Sequence, residues 1–226
     1  MEQRPAAARR DELVALYRDM RDCHDCPLAD SRTKLVFGAG NADADLMFVG
    51  EAPGFHEDQQ GLPFVGRAGR LLDELLAEIG LERGQVWITN VLKCRPPGNR
   101  DPLPEEVDAC KPYLYRQIEL VQPRVICTLG NFATRCLTRS AQGISKCHGR
   151  PQVHLLGGRW LRVVPLYHPA AALRTPACLS ALRQDLATVP GLLEEQLPEP
   201  LGGLGVAPSG NGEPRPEAES QLGLFG

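Results

Sequence analysis

Four short apolar stretches, at 44–50, 86–89, 124–129 and 161–166, alternate with longer segments of helical periodicity. That alternation is the strongest constraint on the fold. The first stretch, ADLMFVG, runs directly into Gly50-Glu51-Ala52-Pro53-Gly54. An apolar run this short, closed by glycine and proline, suits a strand buried on both faces. Between the runs, 69–80 places Leu71, Leu72, Leu75, Leu76 and Ile79 on one helical face and stops at a glycine. A helix opening at Pro104 carries Glu105 and Glu106 in its first turn, where the helix dipole favours acids, with Val107, Cys110, Leu114, Ile118 and Val121 along its stripe. Further helices are predicted over 11–20, from Gly130-Asn131 through Leu137, and over 175–188. Strands alternating with helices give an α/β fold: a three-layer αβα arrangement with a central, mainly parallel four-stranded sheet. In such a sheet ligands bind beyond the carboxyl ends of the strands. The segments that follow the strands (50–58, Asn90, 168–172) therefore converge on one cleft.

The chain has 226 residues, enough to bury a core without disulfide staples. It contains no run of about 18 apolar residues, and its N-terminus has no apolar signal core, so the expectation is a cytoplasmic, nucleoid-associated protein without a membrane span. In a reducing compartment clustered cysteines point to metal or catalysis before disulfides. The formal charge of −3 argues at first against a nucleic-acid partner. The charge is uneven, however. Residues 191–226 hold six Glu against one Arg, a net of −5, so residues 1–190 carry about +2. The same 36 residues contain 8 Gly and 5 Pro. The reading is a folded domain over 8–190 and a disordered acidic tail over 191–226. Lys93, Arg95, Arg100, Lys146, Arg150 and Arg174 fall in predicted loops and are expected to meet phosphates.

Of the eight cysteines, Cys23 and Cys26 form C-x2-C, and Cys94 and Cys110 add a second pair. Four thiolates suit a tetrahedral zinc or a [4Fe–4S] cluster. Cys110 also lies on the apolar stripe of its helix and reads equally well as a core residue. Cys127 and Cys136 read as core, and Cys147 and Cys178 have no assignment. In the cleft, Glu51, Glu57, Asp58 and His168 offer acid–base and hydrogen-bonding groups. Phe64, between glycines, can present a flat face, and Asn90, directly after a strand, can offer one donor and one acceptor to a base edge.

Taken together, Cys23-x2-Cys26, VFGAGNADADLMFVGEAPG at 36–54, EDQQGLPFVGRAG at 57–69, ITNVLKCRPPGNRDP at 88–102, Cys110 and HPAAAL at 168–173 resemble the family 4 uracil-DNA glycosylases, the iron–sulfur branch of that superfamily. The resemblance implies a monofunctional enzyme that flips uracil out of DNA and hydrolyses its N-glycosidic bond. It implies that Cys23, Cys26, Cys94 and Cys110 hold a [4Fe–4S] cluster. Phe64 matches the residue that stacks on uracil, Asn90 the one that reads its O4 and N3–H edge, and His168 the donor to O2, with Gly50 in the uracil site. Glu51 and Glu57 match acidic residues implicated in catalysis. Leu173 matches the loop that enters DNA, beside Arg174. Lys146 and Arg150 lie in a basic loop expected to contact DNA. That loop also holds His148, and a related branch joins a loop histidine covalently to DNA; the longer basic insertion of that branch is missing here. The alternatives are a glycosylase of shifted base preference or covalent linkage, and a non-catalytic iron–sulfur DNA-binding module. The expected partners are uracil-containing DNA and, through Gln221, Leu222, Leu224 and Phe225, the bacterial sliding clamp, whose binding peptide that terminus resembles. A monomer is expected.

Overall fold

A computed structural model describes residues 5–197. The proposed clamp peptide and the tail from 198 onward lie outside the described residues. In chain order the elements are α1 (Ala6–Arg21), α2 (Leu28–Ser31), β1 (Ala39–Gly40), β2 (Leu46–Gly50), α3 (Phe55–Gln60), α4 (Arg67–Glu78), β3 (Trp87–Asn90), α5 (Pro104–Val121), β4 (Val125–Leu129), α6 (Asn131–Thr138), α7 (Ile144–Cys147), β5 (Gln152–Leu156), β6 (Arg159–Leu166), α8 (Pro169–Ala172), α9 (Pro176–Ala187) and α10 (Val189–Glu194).

The sheet has six strands, in the order β1-β3-β2-β4-β6-β5. Its centre, β3-β2-β4-β6, is parallel and matches the four predicted strands. The expectation of four strands is corrected by two antiparallel edges, β1 on β3 and β5 on β6. Residues of β2 alternate between two cores. Met47 and Val49 pack with α1, α5 and α6, while Leu46 and Phe48 pack with α4, α9 and α10. The connection after β2 therefore runs over one face and that after β3 over the other. The cleft lies beyond the carboxyl ends of these strands, at Gly50 and Asn90, which pair in register.

Helix α10 crosses residue 190, where the sequence reading ended the folded domain. Its end is tied to β6: the Arg162 guanidinium donates to the carbonyls of Leu192, Glu195 and Gln196. Among the described residues no helix is long and apolar enough to cross a membrane.

Candidate active site and cysteine cavity

A cleft of about 350 Å³ at the carboxyl end of the sheet is lined by Glu51, Glu57, Phe64, Asn90 and His168, together with backbone of 52–54. These five residues, distant in sequence, share this one cleft. Gly50 is the floor. A Cβ placed there would collide with Asn90 Oδ1 and lie 2.7 Å from Phe64 Cζ, so only glycine leaves the room.

Phe64 takes a left-handed backbone (φ 53°) and lies nearly parallel to His168, with ring centroids 5.8 Å apart. Several groups hold it there. Arg83 donates to the Phe64 carbonyl at 3.0 Å and to that of Pro63, and pairs with Asp73. Gly69 lets α4 approach, since a Cβ there would overlap the Phe64 carbonyl. Glu57 Oε1 accepts the amides of Val65 (2.9 Å) and Gly66 (3.0 Å) at the start of α4. One oxygen of the Glu57 carboxylate is thus committed to shaping the Phe64 loop. Arg83 was not found from the sequence, and its position 19 residues from Phe64 offers no local signal.

His168 opens α8. Its Nδ1 accepts the Ala170 amide at 3.1 Å, so the neutral ring carries its proton on Nε2. Burial, opposed by the Glu57 carboxylate, brings its pKa down to about 4. A neutral donor therefore lines the cleft. Glu51, at the mouth, is pushed up by burial and secondarily by Asp101. It also borders a larger groove of about 770 Å³ running past Tyr167, Asn131 and Arg135. The Asn90 side chain makes no hydrogen bond to another described residue; it is nearly buried, and its amide is left to the cleft.

Leu173, Arg174, Lys146 and Arg150 are exposed. His148 is otherwise engaged: its Nδ1 lies 2.7 Å from Asp185, and its ring packs on Tyr167. Lys93 requires a correction. It was expected to face phosphates, but it is fully buried and points inward. Arg100 pairs with Glu106, and Arg95 lies over Phe55.

Cys23, Cys26, Cys94 and Cys110 line one narrow cavity between α1, α2, α5 and the loop after β3. Among the described residues no three ligating side chains stand at the spacing of a single metal ion. The donor set still fits a sulfur-held group. Four thiols line the space, the one carboxylate on its wall, Asp25, is taken by the Tyr113 hydroxyl, burial pushes Cys110 up to about 11, and burial likewise raises Cys26 and Cys94. Such thiols ionise when a metal takes the thiolate. The cavity already supplies donors to sulfur, from Arg32 to Cys94 Sγ (3.7 Å) and from the Lys93 amide to Cys110 Sγ (3.3 Å). Of the remaining cysteines, Cys127 and Cys147 are buried, Cys136 packs against one core, and Cys178 packs against the other.

An α/β sheet with a cleft beyond the carboxyl ends of its strands, bearing a stacking ring, a free amide and a neutral imidazole, defines a class of enzyme that acts on extruded bases. The family model described as the uracil DNA glycosylase superfamily matches residues 37–187, and the chain belongs to that superfamily. It is 45% identical over 184 residues (79% of this chain and 84% of the relative) to a protein of Sulfurisphaera tokodaii named Type-4 uracil-DNA glycosylase. Proteins of the same name from Archaeoglobus fulgidus (43% over 192 residues, 83% of this chain and 96% of the relative) and Thermotoga maritima (47% over 167 residues, 73% and 85%) are similar to it over most of their length.

Proposed function

We propose that this protein is a monofunctional uracil-DNA glycosylase that flips uracil from DNA and hydrolyses its N-glycosidic bond, leaving an abasic site for base-excision repair. The observation that carries the reading is the convergence of Gly50, Phe64, Asn90 and His168 around one cleft. Extrusion costs the base its stacking, and the Phe64 face returns about 1–3 kcal/mol of it. Gly50 lets the ring edge sit deep, where the Asn90 amide meets the uracil O4 and N3–H. As the bond breaks, positive charge grows on the sugar and negative charge on the departing base. His168 Nε2–H, already neutral and oriented, meets that charge at O2 without reorganising. Glu51, at the mouth, orients the attacking water. Glu57 acts as a positioning residue through the Phe64 loop. Leu173 enters the stack as the base leaves, with Arg174, Lys146 and Arg150 on phosphates.

Cys23, Cys26, Cys94 and Cys110 would hold a [4Fe–4S] cluster. When bound it supplies a cross-link between the N-terminal segment and the loop and helix around 94–110. Replacing Cys110 by Ser is expected to remove most of the purified protein's visible absorption; a colourless wild-type protein containing zinc would replace the cluster with that ion.

The activity is tested by incubating purified protein with oligonucleotides carrying uracil, hypoxanthine or a thymine mismatch, followed by alkaline cleavage of abasic sites. Cleavage at uracil that needs the alkali step is expected. A uracil strand left intact would defeat the reading, and preferential hypoxanthine release would establish the shifted-specificity alternative.

The sequence supports a second contact: Gln221, Leu222, Leu224 and Phe225 as an anchor for the sliding clamp, bound by a monomer of this chain. Deleting 221–226 should abolish clamp binding in a titration while excision on free oligonucleotides is unchanged. Clamp affinity that survives the deletion would refute this contact.

A further inference from the structure

Lys93 is fully buried, and no carboxylate is among its hydrogen-bond partners. Its ammonium instead donates to three neutral oxygens: Thr89 Oγ1 at 2.6 Å, the Asn90 carbonyl at 2.7 Å and Gln117 Oε1 at 2.6 Å. The acceptors come from two elements of the site. Thr89 and Asn90 end β3, and Gln117 projects from α5, the helix that carries Cys110. Gln117 Nε2 and Thr89 Oγ1 both donate on to the Phe37 carbonyl, at 2.9 and 2.8 Å. At the other end of the residue, the Lys93 amide donates to Cys110 Sγ, and the Lys93 carbonyl accepts the Val36 amide at 2.9 Å. Lys93 thus runs from the cysteine cavity to the end of β3.

Asn90 shows why this matters. Its side chain has no hydrogen-bond partner among the described residues, so its aim comes from its backbone. That backbone is clamped on both sides of the Asn90–Val91 peptide: Lys93 Nζ holds the carbonyl, and the Gly50 carbonyl holds the Val91 amide at 2.9 Å. Burying an ammonium among neutral acceptors costs free energy that an apolar side chain of similar length would avoid. A buried polar network of this kind, once fully satisfied, fixes one geometry.

We propose that Lys93 is a positioning residue for base recognition: it ties the cysteine cavity to the peptide of Asn90 and so sets the angle at which the Asn90 amide meets uracil. This rests on the reading of Asn90 given above and extends it to a residue that never reaches the cleft.

The test is a double-mutant cycle in the full-length protein as purified: wild type, Lys93→Met, Asn90→Ala and the double variant. The readouts are kcat/KM on a uracil oligonucleotide, affinity for a hydrolysis-resistant 2′-fluoro-deoxyuridine oligonucleotide against its 2′-fluoro-deoxycytidine counterpart, visible absorption per protein, and Tm. Lys93→Met is expected to lower kcat/KM by roughly tenfold and to narrow the uracil-over-cytosine binding preference. In the Asn90→Ala background it should add less than about twofold, because coupled residues are non-additive. An equal loss in both backgrounds, or a lower Tm with unchanged kcat/KM and preference, overturns the proposal while leaving the Asn90 reading intact. Wild-type kinetics in Asn90→Ala would overturn that reading first, and this inference with it. Should Lys93→Met fail to fold, Gln117→Leu removes one acceptor and predicts the same non-additivity with Asn90→Ala at smaller amplitude.

Discussion

Replacing His168 by Ala should lower single-turnover excision by about 100–1000-fold, the usual cost of removing a donor aimed at developing negative charge. The geometry makes the pH dependence equally specific. The Ala170 amide occupies Nδ1, and burial holds the pKa near 4, so the ring stays a neutral donor through the working range. Wild-type activity should therefore show no loss attributable to His168 as pH falls from 8 to about 5. Stability follows the same linkage. The folded pKa lies below the unfolded value near 6.5, so between the two the unfolded chain binds more protons. This contribution to stability is complete above about 6.5 and is lost as pH falls toward about 4. Measuring excision rates and Tm across that range for wild type and His168→Ala separates the two effects. His168→Ala also loses an N-cap acceptor, worth about 1 kcal/mol, so some fall in Tm is expected beside the rate loss. A variant within tenfold of wild type would remove His168 from the chemistry.

The parts of this molecule that were legible in its sequence are those where burial leaves little choice. β2, β3 and β4 are buried along their whole length, so their sequences read as short, mostly apolar runs, broken only by Thr89, Asn90 and Thr128. The edges were missed for opposite reasons. β1 is only two residues long and carries no periodic signal. β5 was detectable, since Gly157-Gly158, both at positive φ, join Leu156 to Arg159 as a two-residue hairpin turn before a strand already identified. α3 leaves no helical signal in the sequence, because six residues with one buried position, Asp58, cannot show a stripe.

Within the site, topology alone sent Gly50, Asn90 and His168 to one edge of the sheet. The tasks of the charged residues were not legible, because they depend on contacts distant in sequence or opposite to habit. Glu57 reads as a free acid until the amides of Val65 and Gly66 are seen on it. Lys93 reads as a solvent-facing cation because lysine is seldom fully buried. Its place one residue before Cys94 was the only hint that its backbone would be fixed from the cysteine side.

The second large effect is expected at Gly50, and its neighbour Gly69 supplies the control. Gly50 does not sit at positive φ, so alanine is compatible with its backbone, and Gly→Ala at such a position tends to stabilise a chain by about 0.4–1 kcal/mol through the unfolded state. The new methyl would instead meet Asn90 Oδ1 and the Phe64 ring edge, the two walls of the proposed base site. Displacing either by an ångström is enough to cost about 100-fold. Gly50→Ala should therefore keep a Tm within a few degrees of wild type (about 1 kcal/mol is worth 2–4 °C at this size) while kcat/KM on uracil falls by about 100-fold or more. Gly69→Ala should behave oppositely in stability. There the methyl overlaps the Phe64 carbonyl, a backbone atom held by Arg83, and the helix or the loop must give way. Its Tm should drop clearly, with activity lost alongside folding. Steady-state excision and thermal melts on the two variants decide the matter. If Gly50→Ala excises uracil at near wild-type efficiency, the base does not lie against Gly50, and the cleft between Phe64 and Asn90 is not where it is read.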